Sequence, residues 1–259
     1  MEQIPITEFD PDKKALIEPG MMRSTKVNIN PPEHCIMPMY GSLIEKLKQD
    51  GRLEKIHELH TPFIPIDIYK MEYNGRFLTV CHPGVCAAWA ASHLEELIAL
   101  GCRKFIACGS AGALKPELNR GVVIIPSSAL RDEGTSYHYC PPSRTITMDP
   151  KVVQKLESVL RKHNVNYQIG KTWTTDGFYR ETKGKITRRK SEGCVTVDME
   201  CSAFLAVAKF RNVTFGQYLV AGDDVSGDEW DPRYVDDKTP FQGFQEKIFW
   251  LSVEACLEL

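Results

Sequence analysis

Hydrophobic spacing along this chain changes period repeatedly, and each change marks an element. Cys35-Ile36-Met37-Pro38 is a short continuous apolar run and reads as a strand. Leu43, Ile44, Leu47, Leu53 and Ile56 fall at helical intervals and predict a helix over Ser42–Leu59, broken near Gly51. Phe63–Met71 and Phe77–Cys81 read as strands joined by Asn74-Gly75, the dipeptide that most favours a two-residue hairpin turn. Trp89, Leu94, Leu97 and Ile98 keep helical step through Ala87–Leu100, and Gly101 is a helix stop. Further strands are expected at Lys104–Cys108, Gly121–Pro126, Tyr167–Trp173 and Phe215–Ala221, with helices at Val152–His163, Thr182–Lys190 and Phe241–Leu257. Strand and helix alternate, which predicts an α/β fold with a mixed, mostly parallel central sheet flanked by helices. Residues 1–32 carry several prolines and little periodicity, so they read as an extended arm. Residues 33–259 read as one domain, because no low-complexity linker divides them.

Composition narrows the classes without naming one. The chain has 259 residues, 42% hydrophobic and 25% charged, an ordinary globular balance with enough length for a substantial core. Its 32 basic and 34 acidic side chains leave a net charge of -2, so no nucleic-acid partner is expected. No apolar run reaches membrane-spanning length, and Met1–Lys14 is polar and acidic, so the expectation is a cytoplasmic protein with no membrane partner. The 9 cysteines are odd in number and form no Cys-x-x-Cys pair, as buried free thiols in a reducing compartment would. His57 and His60 have no second pair to answer them, so no metal site is expected.

Four segments carry chemistry, each just after a strand, where loops of an α/β sheet converge on one edge. Val197-Asp198-Met199-Glu200 places two carboxylates and a thioether where a strand hands over to a helix. A carboxylate there can accept two hydroxyl protons of a vicinal diol; acidic residues also favour a helix's first turn, so both readings stand. Gly109-Ser110-Ala111-Gly112 lets backbone N–H groups approach an anion, or is simply a tight turn. It lacks the Gly-Lys-Ser/Thr ending of a P-loop. Thr174 to Arg180 offers Phe178 and Tyr179 to a planar ring, or to packing under a loop. Gly222-Asp223-Asp224 can supply a general acid, with Arg233 downstream to tune either Asp, or serve as a turn. Arg131–Tyr139 is dense in polar and aromatic groups and is a fifth candidate for the site wall.

In this order, Gly109-Ser110-Ala111-Gly112-Ala113-Leu114, Gly121-Val122-Val123-Ile124-Ile125-Pro126, Asp176-Gly177-Phe178-Tyr179, Val197-Asp198-Met199-Glu200 and Val220-Ala221-Gly222-Asp223 make the chain resemble the nucleoside phosphorylase-I family. The resemblance runs from about Cys35 to the C-terminus. It implies a mixed, barrel-like sheet, a homo-oligomer with the active site near a subunit interface, and cleavage of a nucleoside's N-glycosidic bond. Phosphate is then the co-substrate, and no other cofactor is implied. By resemblance, Glu200 binds the ribose hydroxyls, Met199 packs on the sugar and Asp198 stands beside them. Phe178 stacks on the base, Asp223 donates to a purine N7 with Arg233 assisting, and Gly109 and Ser110 face phosphate.

The usual phosphate clamp of the family is missing. Its arginine two residues before the Gly-Ser turn is Ala107 here, and its Gly-Asp-Pro turn with a nearby arginine reads Pro38-Met39-Tyr40-Gly41-Ser42. An arginine lent by a neighbouring subunit falls near Thr61, and a uridine-type base reader is replaced by Thr182 and Gly184, which leans toward a purine. Arg131, His82, Arg144 and Arg23 are the candidate replacements in the clamp. Two alternatives follow: a nucleosidase of the same fold, with Glu45 activating water, or a non-catalytic nucleoside-binding protein.

Overall fold

A computed structural model describes residues 4–21, 29–59, 65–233 and 241–259. The strands are β1 His34–Pro38, β2 Glu54–Leu59, β3 Ile66–Tyr73, β4 Arg76–Cys81, β5 Lys104–Ala113, β6 Val123–Asp132, β7 Thr145–Thr147, β8 Tyr167–Thr175, β9 Cys194–Asp198 and β10 Thr214–Asp224. The α-helices are α1 Gly41–Gln49, α2 Ala87–Leu100, α3 Pro150–Lys162, α4 Lys183–Ser191, α5 Cys201–Arg211 and α6 Phe241–Glu258. All ten strands join one mixed sheet. Parallel pairings (β1–β4, β1–β5, β5–β10, β6–β8, β8–β9) and antiparallel ones (β2–β3, β3–β4, β5–β9, β6–β7, β6–β10) are equal in number, and the longest ladders are parallel, as expected of a mixed, mostly parallel sheet. The pairings β5–β10–β6–β8–β9–β5 close on themselves, and β1, β4, β3 and β2 extend outward from β5.

Local chemistry explains the elements. Asn74 (φ 50°) and Gly75 (φ 75°) both take the positive φ that a tight hairpin turn demands. Gly101 (φ 119°) ends α2 as expected, its N–H returning to Ile98 O. The helix expected over 42–59 stops at Gln49. Glu54–Leu59 is strand β2, pairing with β3 and covering what would otherwise be an exposed edge of the β3–β4 hairpin. The turn expected at Gly109-Ser110-Ala111-Gly112 is also corrected. β5 runs straight through it because β10 stays in register beside it from Gly109 to Ala111. A Cβ on Gly109 would meet Met39 Sδ at 2.5 Å, and one on Gly112 would meet Val197 Cγ1 at 2.9 Å, so close packing requires both glycines.

Helices cover both faces of β5 and β10. On one, the buried Tyr218 hydroxyl donates to Leu156 O of α3 at 2.7 Å; on the other, Phe215 stacks on Phe204 of α5 with centroids 5.0 Å apart. The described part of the N-terminal arm lies along α2 and α5. Gly20 N–H donates to Glu96, and Lys13 sits over the Phe210 ring at 5.8 Å. All nine cysteines are free, and only Cys86 among them is not buried. No helix among the described residues is long and apolar enough to cross a membrane.

Candidate active site

The site is built around the β9–α5 junction. Asp198 ends β9, is buried, and uses both oxygens fully. Oδ1 accepts from the hydroxyls of Thr172 (3.0 Å) and Thr174 (2.9 Å) on β8, and Oδ2 accepts from the N–H groups of Glu200 (3.0 Å) and Cys201 (2.6 Å). A carboxylate offers about four acceptor positions, and here the fold occupies them all. The expected ribose contact at Asp198 is therefore corrected to a positioning role. Burial pushes Asp198 upward in pKa, and its four donors pull against that shift.

Because Asp198 satisfies the first N–H groups of α5, Glu200 is not needed there. Its side chain makes no capping bond although it sits at the N-cap. Its Oε1 accepts from Cys86 N–H at 2.7 Å instead, reaching across to the start of α2. Glu200 is 6% exposed, and burial followed by the nearby Asp198 charge pushes its pKa up to about 7. Cys86 holds φ 73°, an uncommon conformation for a non-glycine residue and a recurrent one at functional sites. Met199 is half-buried between the two acids. Behind them, Glu133 accepts from Ser202 Oγ (2.8 Å) and Ser136 N–H (2.9 Å), tying the β6 end to α5.

Arg131 belongs to that support. It is buried, with Nε donating to Ser136 Oγ, Nη1 to Pro141 O and Ser143 Oγ, and Nη2 to Cys140 O, and its guanidinium lies 4.1 Å from the Tyr137 ring centroid. Four of its five N–H groups are thus committed, which rules out a bidentate grip on phosphate and corrects that expectation. The other replacements fare similarly. Arg144 is bound to Glu192. His82 accepts Gly84 N–H at Nδ1, and burial holds its pKa below the ordinary value. Arg23 and Thr61 lie outside the described residues. Glu45 is exposed and pairs with Lys48 at 2.9 Å.

Ser110 is exposed near the end of β5, with the buried Tyr40 phenol against it. Gly109 beside it is covered by Met39, while Ala107 and Leu43 are buried in the apolar core.

Phe178 and Tyr179 stand in a single turn, edge to face at 4.9 Å, and both are exposed. Asp223 Oδ2 accepts from Trp230 Nε1 at 2.7 Å. Arg233 is not its partner: Nη2 donates to Asp224 Oδ2 at 2.6 Å and Nη1 to Leu118 O at 2.5 Å, so the expected assistance to Asp223 is corrected. Burial pushes Asp224 up, but hydrogen bonds from Ser226 and then the Arg233 pairing hold it below the ordinary carboxylate range. Glu181 was missed by sequence reading. Burial, then the Asp223 charge, pushes it up to about 7. Its one signal in the sequence is a carboxylate following the aromatic turn directly. Trp230, Cys86, Thr172 and Thr174 carried no local signal.

The family model described as "Phosphorylase superfamily" matches residues 37–244. A guanosine phosphorylase from Halorubrum lacusprofundi is 26% identical over 170 residues, covering 63% of this chain and 70% of its own length. A uridine phosphorylase from Salmonella typhimurium is 25% identical over 168 residues, covering 60% of this chain and 66% of its own length. A crystal structure of purine nucleoside phosphorylase from Toxoplasma gondii, in complex with immucillin-H, shares the fold with a TM-score of 0.74. It is 22% identical and covers 88% of this chain and 92% of that one.

Proposed function

This chain belongs to the phosphorylase superfamily, and on that premise we propose that it cleaves the N-glycosidic bond of a nucleoside, passing the pentosyl group to phosphate and releasing the free base. One observation carries the reading: Asp198 caps α5, leaving the Glu200 carboxylate for a ligand. Glu200 accepts the sugar hydroxyl protons, and its charge offsets the cationic character that develops on the sugar as the bond breaks. Met199 packs on the sugar face, and Phe178 stacks on the base. Asp223, held by Trp230, faces the base and supports a preference for purines. Gly109 and Ser110 take the phosphate side. Exposed Val85, Phe178, Tyr179 and Trp230 support a homo-oligomer with the site near a subunit boundary.

Hydrolysis is the second reading, favoured by the apolar surroundings of Ser110. Met39, Tyr40 and Ala107 offer no cation to a phosphate dianion, whose burial without cationic partners is costly. The deciding experiment measures base release from inosine, adenosine, guanosine and uridine with and without inorganic phosphate. Phosphorolysis predicts strict phosphate dependence and a pentose 1-phosphate product. Equal rates without phosphate establish the hydrolase, and nucleoside binding with no cleavage across the panel identifies a binding protein.

A further inference from the structure

Gln217 lies in β10, is fully buried, and neither its Oε1 nor its Nε2 has a hydrogen-bond partner. Among the described residues no other buried side chain leaves two polar atoms unpartnered. Buried amides are normally satisfied, by protein, by water or by a ligand.

Its position follows from register and alternation. Gln217 pairs with Ala107 of β5, which is fully buried. The neighbours Gly216 and Tyr218 face α3: a Cβ on Gly216 would touch Val152 and Leu156, and Tyr218 bonds Leu156 O. Alternation turns Gln217 to the other face, shared with Phe215, which stacks on Phe204 of α5. The chain reverses between α5 and β10 at Asn212. From the Phe204–Phe215 stack, two residues along the strand advance about 6.6 Å to Gln217. Four residues back along the helix retreat about 6 Å to Glu200. The orphaned amide is therefore level with Glu200 along the axis that β10 and α5 share.

We infer that the Gln217 carboxamide holds the attacking oxygen of the glycosidic cleavage, its NH₂ donating to that oxygen and its C=O accepting the oxygen's proton. This rests on the reading that the chain cleaves nucleosides. A carboxamide has paired donor and acceptor groups and no charge, so it suits a hydroxylic oxygen, either P–OH of phosphate or water. The oxygen bonds to the sugar's C1 as the C1–N bond breaks. The bond pair leaves on the base nitrogen, which ends with the proton that the nucleophile gives up.

The test compares wild type with Gln217→Met, which keeps volume and removes both polar atoms. The expected result is a fall in kcat of roughly a hundredfold, with the nucleoside KM within about threefold and Tm unchanged or raised, since a buried orphan is removed. Phosphate dependence of the wild-type rate separates phosphate from water as the oxygen source. A wild-type kcat in Gln217→Met overturns the inference alone, and so does a fall in Tm with kcat retained, the signature of a structural water only. Should Gln217→Met not fold, Gln217→Leu, which also removes both polar atoms, is read in the same way. Absence of base release by the wild type removes this inference together with the proposed function, a result distinct from either.

Discussion

The two sides of the proposed site, a sugar wall around Glu200 and a base wall around Phe178 and Asp223, are built on different principles. At the sugar wall, Asp198, Thr172, Thr174, Glu133 and Ser202 are buried and bonded to one another, and Glu200 is aimed before any ligand arrives. At the base wall, Phe178, Tyr179 and Trp230 are exposed, and one indole bond holds Asp223. The sugar wall is preorganised at a cost in stability, because a buried carboxylate is lifted toward neutral pH. The base wall costs the fold little and fixes little by itself. A single chain can thus define one half of a ligand rigidly and leave the other half adaptable.

Removing the aimed charge should break this contrast most severely. Glu200→Gln keeps shape but loses the negative charge, and kcat/KM is expected to fall roughly a thousandfold with folding intact by circular dichroism. Next comes the support. Asp198→Ala strands two threonine hydroxyls and two N–H groups, and urea denaturation should show a loss of about 3 kcal/mol.

The pH dependence follows from the raised carboxyls. Glu200 and Glu181 move from 4.5 in the unfolded chain to about 7 in the folded one. Their contribution to stability is full below 4.5 and is lost as pH rises through 7, a fall of about 2 kcal/mol after allowing for solvent screening. Denaturation midpoints across that window should flatten in Glu200→Gln and flatten further when Glu181→Gln is added. Activity should move the opposite way, with kcat/KM rising through pH 7 as Glu200 ionises. The smallest effect is expected at the base wall. Phe178→Ala should raise KM about fivefold, an aromatic contact of roughly 1 kcal/mol, with kcat unchanged in steady-state assays.

Periodic elements were legible because local signals agreed with tertiary demand. The helix Ala87–Leu100 matches the structure residue for residue, and Asn74-Gly75 forms the expected hairpin turn between strands whose bounds differ from those expected. Leu53 and Ile56 misled because Leu53 lies just before β2 and Ile56 sits at an irregularity in the β2–β3 register, so their three-residue spacing is not one face of a helix. Gly109–Gly112 looked like a turn because glycine is ambiguous until its neighbours are known; Met39 and Val197 make it a close-packed strand. In the site, residue types pointed to Glu200 and Met199 and could not reveal how charges pair in space. Arg131 was free in the sequence and is consumed by carbonyls and hydroxyls in the fold. Arg233 could have served either aspartate, and geometry gave it to Asp224. Glu181 becomes visible only once Asp223 is placed near it.

The closed circuit of five strands also sets a timetable for synthesis. β5 is made early, yet its partners β9 and β10 come late, with about 100 residues between the end of β5 and the start of β10. At a ribosomal pace of about 5–20 residues per second, β5 emerges about 5–20 s before its last partner. During that interval an apolar strand is open on at least one edge. Nascent chains released before residue 214 should therefore be the aggregation-prone species, and chaperone occupancy should peak on ribosomes that have passed β5 and not yet translated β10.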